Sequence, residues 1–193
     1  MDNKKIRDSL KELTERFRSG YCSAAKSSWE HHVKTLPIGQ AVPPKGEIYG
    51  TENKAAFDEL CRDITAQGRD IIGGVKAEVS EMMTAAPTEE AVNTINMLKL
   101  RDNVSEDEFA RVMEKYGSDN YQAAKAISHV AHEQGIRGLV GCDAALDEYM
   151  ADLNGLEHSF GPNHFSTKQA EQGATEGMLS LLDAQIDAVF PDE

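Results

Sequence analysis

The stretch Phe57-Asp58-Glu59-Leu60-Cys61-Arg62-Asp63-Ile64-Thr65-Ala66-Gln67-Gly68-Arg69-Asp70-Ile71-Ile72-Gly73-Gly74-Val75-Lys76-Ala77-Glu78-Val79 decides the architecture. Phe57, Leu60, Cys61, Ile64, Gly68, Ile71, Ile72, Val75 and Val79 recur at steps of three and four, which is the period of an α-helix. With Met82 and Met83 the stripe covers about 52–84, and its spacing lies close to a heptad seam. Gly68, Gly73 and Gly74 are poor helix formers and mark either a close helix–helix approach or a kink.

A second stripe precedes it. Ile6, Leu10, Leu13, Phe17, Tyr21, Ala24, Ser28, Val33 and Leu36 predict a helix over about 3–35, interrupted at Gly20, where the chain is expected to bend or split. Three prolines and three glycines in 37–50 end that helix and form an extended connector. Ile38, Val42, Ile48 and Tyr49 suggest that the connector packs against something. Two long helices joined in this way form a hairpin or enter a larger bundle.

After the second stripe the punctuation becomes dense. Pro87 with Glu89 and Glu90, the capping box Ser105-Glu106-Asp107-Glu108, and Asp119-Asn120-Tyr121-Gln122 each start a short helix. Gly117 and Gly135 stop two of them. Val92, Ile95, Met97 and Leu98 are expected to point inward. A further helix is expected near 142–156. A turn follows at Gly161-Pro162-Asn163, and a last helix over about 167–189 is opened by Ser166. Gly173 and Gly177 in that helix would admit a neighbouring backbone. No segment alternates long enough for a strand, and no repeat of fixed period is visible.

The fold class predicted is all-α: two long amphipathic helices, a compact trio of short helices, and a C-terminal helical pair. The segments expected are a long-helix region at 1–86 with its connector at 37–50, a three-helix module at 87–136, and an acidic C-terminal pair at 137–193 packed on the rest.

In 193 residues, apolar side chains make up 40% and charged ones 27%, enough to build a core and too apolar for wholesale disorder. Thirty-three acids against twenty bases give a net charge of −13, which disfavours nucleic acid as a partner. Residues 1–36 carry +3 and residues 142–193 carry −10. Basic head and acidic tail could therefore attract each other between copies, although a solvated acidic face explains the tail more simply. No run approaches the roughly 20 apolar residues of a membrane span. The first residues lack the apolar middle of a secretory signal, so a cytoplasmic location is expected. Cys22, Cys61 and Cys142 are read as reduced core thiols on apolar helical faces.

Catalytic and metal motifs are sparse. The sequence has no phosphate-binding glycine loop, nucleophile elbow, paired Glu-x-x-His, His-Glu-x-x-His or Cys-x-x-Cys. His129 and His132 share a helical face and are the best metal candidates, with Cys142 or Asp143 as a third ligand. Helix-end histidines need no metal to explain them. His31-His32 make a weaker pair, and His158 and His164 flank a loop with Phe160 and Phe165. Acid pairs such as Glu89-Glu90 and Asp147-Glu148 sit where helix dipoles favour them. No nucleophile, base and oxyanion donor assemble. The chain is read as a non-enzyme without cofactor or metal.

Two stretches carry a resemblance: Thr84-Ala85-Ala86-Pro87-Thr88-Glu89-Glu90-Ala91-Val92-Asn93-Thr94-Ile95-Asn96-Met97-Leu98-Lys99-Leu100-Arg101, and Val104-Ser105-Glu106-Asp107-Glu108-Phe109-Ala110-Arg111 through Tyr121-Gln122-Ala123-Ala124-Lys125-Ala126-Ile127. Together, over about a third of the chain, they resemble small helical proteins encoded among the structural genes of tailed phages and prophages. The resemblance implies a virion-associated or assembly protein, in the host cytoplasm or in the particle. Residues 89–135 also resemble ubiquitin-associated-type three-helix modules in packing scheme. Such modules carry a Met-Gly-Phe loop where this chain reads Arg101-Asp102-Asn103-Val104, so the likeness points to holding some other helix or peptide.

These readings predict a phage structural or capsid-assembly protein working through helical protein–protein contacts, with itself or another virion protein as partner and no membrane. The long stripes exceed what a small trio can cover. Leu10, Phe17, Trp29, Ile64, Ile71 and Val75 are therefore the interface candidates. The alternatives are a monomeric adaptor that uses 87–136 to hold a peptide, and a metal-binding protein at His129 and His132.

Overall fold

The computed structural model describes residues 2–172 and 175–191. It is all-helical, with eight helices and no strand among the described residues. They are α1 (Asn3–Thr35), α2 (Thr51–Thr84), α3 (Glu89–Lys99), α4 (Glu106–Val112), α5 (Tyr121–Glu133), α6 (Cys142–Ser159), α7 (Thr167–Glu171) and α8 (Thr175–Val189). A π turn, Met113–Gly117, extends α4. No described helix is long and apolar enough to cross a membrane.

Helix starts follow their side-chain caps. Asp2, Thr88, Ser105, Asn120 and Ser166 each accept a hydrogen bond from the backbone N–H three residues on. Helix α1 runs through Gly20 without a break, so the chain does not split there. The missing side chain serves packing instead, because a Cβ at Gly20 would overlap Leu60 of α2. Gly68 plays the same part for Phe160. The single terminal helix expected over 167–189 is described as two. Gln172 closes α7, its N–H bonded to Lys168 and Ala170 carbonyls, and α8 starts at Thr175. Gly173 lies outside the described residues, and among the described residues nothing comes within 4 Å of where a Gly177 Cβ would sit.

The chain divides into two compact units: Met1–Gly74 with Leu153–Glu193, and Val75–Asp152. Both cuts fall inside helices, α2 and α6, whereas composition placed the segment ends in loops near 86 and 136. Loop chemistry marks where helices stop, but cores form wherever apolar faces meet, and one long helix can serve two of them.

In the first unit, Phe17 packs against Phe57 at 5.5 Å and edge-on against Phe165 at 5.0 Å, and Phe160 stacks on Phe165 at 5.4 Å. Leu10, Ile64, Ile72, Leu179, Ile186 and Phe190 of the same unit have no exposed area. Helices α1 and α8 are also joined by charge. Lys11 meets Asp187 at 2.6 Å, and Arg18 faces Glu176 at 3.3 Å and Asp183 at 4.0 Å. The buried Thr14 hydroxyl donates to Asp183 Oδ1 across 2.8 Å. Part of the attraction between basic head and acidic tail is thus met within one chain.

The connector is pinned by its second half. Trp29 Nε1 donates to the Pro43 carbonyl at 3.2 Å, the Tyr21 hydroxyl to Gly46, and Tyr49 N–H to Ser28 Oγ at 3.1 Å. Ile48 is buried, but Ile38 and Val42 stand in solvent, so only part of the expected packing exists. Of the cysteines, Cys61 is buried, Cys142 half-buried and Cys22 exposed; Cys22 therefore departs from the expected core position.

In the second unit α3, α4 with its π turn, and α5 enclose Ile95, Leu98, Val104, Phe109, Met113, Ile127 and Val130. Gly117 is required here, since a Cβ would strike the Met113 sulfur and lie 3.2 Å from Ala124 Cα. Val92 and Met97, expected inside, lie outside at 41% and 59% exposure. Three short helices enclose one narrow stripe each, and Ala91, Ile95 and Leu98 already fill that of α3.

Candidate interaction face

The sequence candidates do not form a surface. Leu10, Phe17 and Ile64 have no exposed area and Val75 has 4%. Ile71 and Trp29 are half-buried, and Trp29 is engaged by Pro43 and by the Lys45 ammonium 4.9 Å above its ring. The expectation of an exposed stripe on the long helices is therefore corrected. Stripes from α1, α2, α6, α7 and α8 cover one another within a single chain, which the spacing of one helix alone cannot reveal.

His129 and His132 are both exposed, and His129 Nε2 lies 3.3 Å from Glu133. Among the described residues no group of three His, Cys, Asp or Glu side chains could hold a metal ion. Burial holds the Cys61 thiol protonated, its pKa pushed up to about 12, far from the range of a reactive thiolate.

Exposed large apolar side chains concentrate in the second unit: Met82, Val92, Met97, Leu100 and Val140. At about 100° per residue, Glu89, Val92, Asn93, Asn96, Met97 and Leu100 share the outward arc of α3, opposite Ala91, Ile95 and Leu98. All six are exposed, and Leu100 reaches 81%. The face is thus an apolar ridge with two amides and one carboxylate, a composition suited to a helical partner.

This face stands on a fixed frame. The Glu90 carboxylate accepts from Lys115 Nζ at 2.8 Å and from the Tyr116 hydroxyl at 2.7 Å. These two donors, Lys115 first, lower the Glu90 pKa, and the Glu90 carboxylate, with the Tyr116 hydroxyl after it, raises that of Lys115. At the other end of α3, Gln134 secures the following loop. Its Oε1 accepts from Val104 N–H at 3.1 Å, and its Nε2 donates to the Leu98 and Arg101 carbonyls at 3.2 and 3.1 Å. Asn103 within that loop takes φ +62°, a left-handed conformation that Asn tolerates better than most residues. Arg101 and Glu108 form a two-pronged ion pair, one prong at 3.0 Å, which lowers the Glu108 pKa. Glu108 is therefore drawn to Arg101 although it occupies the capping-box position. Sequence reasoning missed Gln134, because three bonds to backbone groups 30 to 36 residues away leave no local pattern.

Val75–Asp152 carries seven bases against fifteen acids, for −8. No protein-family model, curated protein or solved structure matches this chain.

Proposed function

We propose that this protein is a non-enzymatic assembly or adaptor protein, working through helical protein–protein contacts made by the outward face of α3. The observation that carries the reading is the exposure of Val92, Met97 and Leu100 on a helix braced at both ends, while the long-helix stripes are occupied within the chain. The charge of −8 around this face favours a partner helix that is apolar on one side and basic at its rim. The sequence that builds the module also carries the resemblance to phage structural proteins. A component of a tailed-phage particle, in the host cytoplasm during assembly or in the virion, is the setting we assign to it.

A photo-crosslinking side chain placed at Leu100 tests this, with Lys26 on α1 as the control position. In cells producing particles, the expected result is a crosslink from position 100 to a helical segment of a virion protein, abolished by Met97→Asp. Equal crosslinking from position 26, or persistence in Met97→Asp, would overturn the assignment of the face.

A further inference from the structure

Asp58, Arg62, Thr65 and Arg69 follow one another at steps of four, three and four, and so form a single ridge on α2. The ridge lines a cleft of about 430 Å³ whose other wall is Pro162, Phe165 and Ser166. This volume falls in the range of small-molecule sites. The Thr65 hydroxyl oxygen is buried and has no hydrogen-bond partner among the described residues. Buried polar groups are nearly always paired, and an unpaired one costs stability. Arg62 makes no hydrogen bond or ion pair among the described residues, and Arg69 meets Glu157 only at 3.8 Å. Asp58, at one end of the ridge, already accepts from the Thr167 hydroxyl at 2.6 Å.

We propose that this cleft binds a small organic anion, its carboxylate or phosphate head held by Arg62, Arg69 and the Thr65 hydroxyl, and its apolar body laid on Phe165 and Pro162. Guanidinium groups only donate, and their planar fork matches an oxyanion. The unpartnered hydroxyl lies three residues from one arginine and four from the other, where it adds a donor to the same head. The apolar wall selects an organic acid over a bare ion. Because the cleft lies wholly within the first unit, occupancy stabilises that unit by mass action.

Calorimetric titration of the full chain with phenyl phosphate, benzoate and inorganic phosphate tests the site. Phenyl phosphate or benzoate is expected to bind saturably, and either result supports the shared oxyanion chemistry while naming its source. Arg62→Gln should weaken binding about tenfold. Thr65→Val should weaken it about threefold while leaving the melting temperature unchanged or raised, since it removes an unpaired polar atom. Arg111→Gln, in the other unit, should leave binding unchanged. Absence of saturable binding by all three probes at about 10 mM would overturn the proposal. So would binding that ignores both Arg62→Gln and Thr65→Val. Inorganic phosphate binding as tightly as phenyl phosphate would overturn the apolar half of the assignment.

Discussion

The two units bury apolar surface by different means. The first uses long helices and aromatic side chains, and Phe17, Phe57, Phe160 and Phe165 meet in one cluster. The second uses short helices and small residues, with Ala123, Ala124 and Ala131 among its core. Long stripes from several helices can cover one another, whereas a short helix in a trio covers a single narrow face. Its opposite face is then free to carry Val92, Met97 and Leu100. The unit richer in apolar stripe exposes Ile38 and Val42 on its connector and Leu181 on α8, whereas the second unit gathers Val92, Met97 and Leu100 on one helix face.

The sharpest break of this contrast is Phe17→Ala. Truncating a fully buried phenylalanine should cost the first unit about 3–5 kcal/mol. Trp29, the sole tryptophan, lies in that unit, so the loss reads out as a lower denaturant midpoint by tryptophan fluorescence. Gln134→Ala should cost the second unit about 1–3 kcal/mol, because it strands the Val104 N–H and removes a donor from the Leu98 and Arg101 carbonyls. The loss should appear in far-UV circular dichroism during denaturation and leave the Trp29 transition in place. The double variant Met97→Asp, Leu100→Asp should change stability by no more than about 0.5 kcal/mol and yet abolish partner crosslinking from Val92. A large loss of stability there would place α3's outer face in a core instead.

The smallest effect concerns pH. Lys115 and Tyr116 lower the Glu90 pKa, and Arg101 lowers that of Glu108. A carboxylate with a lowered folded-state pKa contributes stability that is full above its unfolded value, near 4.5. That stability is lost as pH falls through the folded value. Thermal melts between pH 6 and pH 3 should show the second unit weakening in this window, and Glu90→Gln should flatten part of the slope.

Helix bounds were legible because caps are local. Ser105 and Ser166 act on backbone only three residues away, and the cap of α5 falls on Asn120, one residue after the Asp119 that opens its box. Which side of a helix is buried was less legible, since that depends on how many partners surround it. Leu10 and Ile64 were read as an open seam but lie in a core, and Val92 and Met97 were read as core but face outward. The ridge of Asp58, Arg62, Thr65 and Arg69 was present in the spacing, but nothing local signalled that the wall formed by Pro162 and Phe165 would face it. Gly20 shows the same limit. Its helix cost argued for a break, and packing against Leu60 kept the helix whole.

The contrast between the units rests on long-helix stripes that are covered within one chain. Amide hydrogen exchange on the full chain, at protein concentrations spanning about a thousandfold, tests it most directly. Slow exchange at Leu10, Phe17, Ile64 and Ile72 that does not change with dilution is expected. Protection in those segments that rises with concentration would contradict it, because the stripes would then need a second copy to be buried.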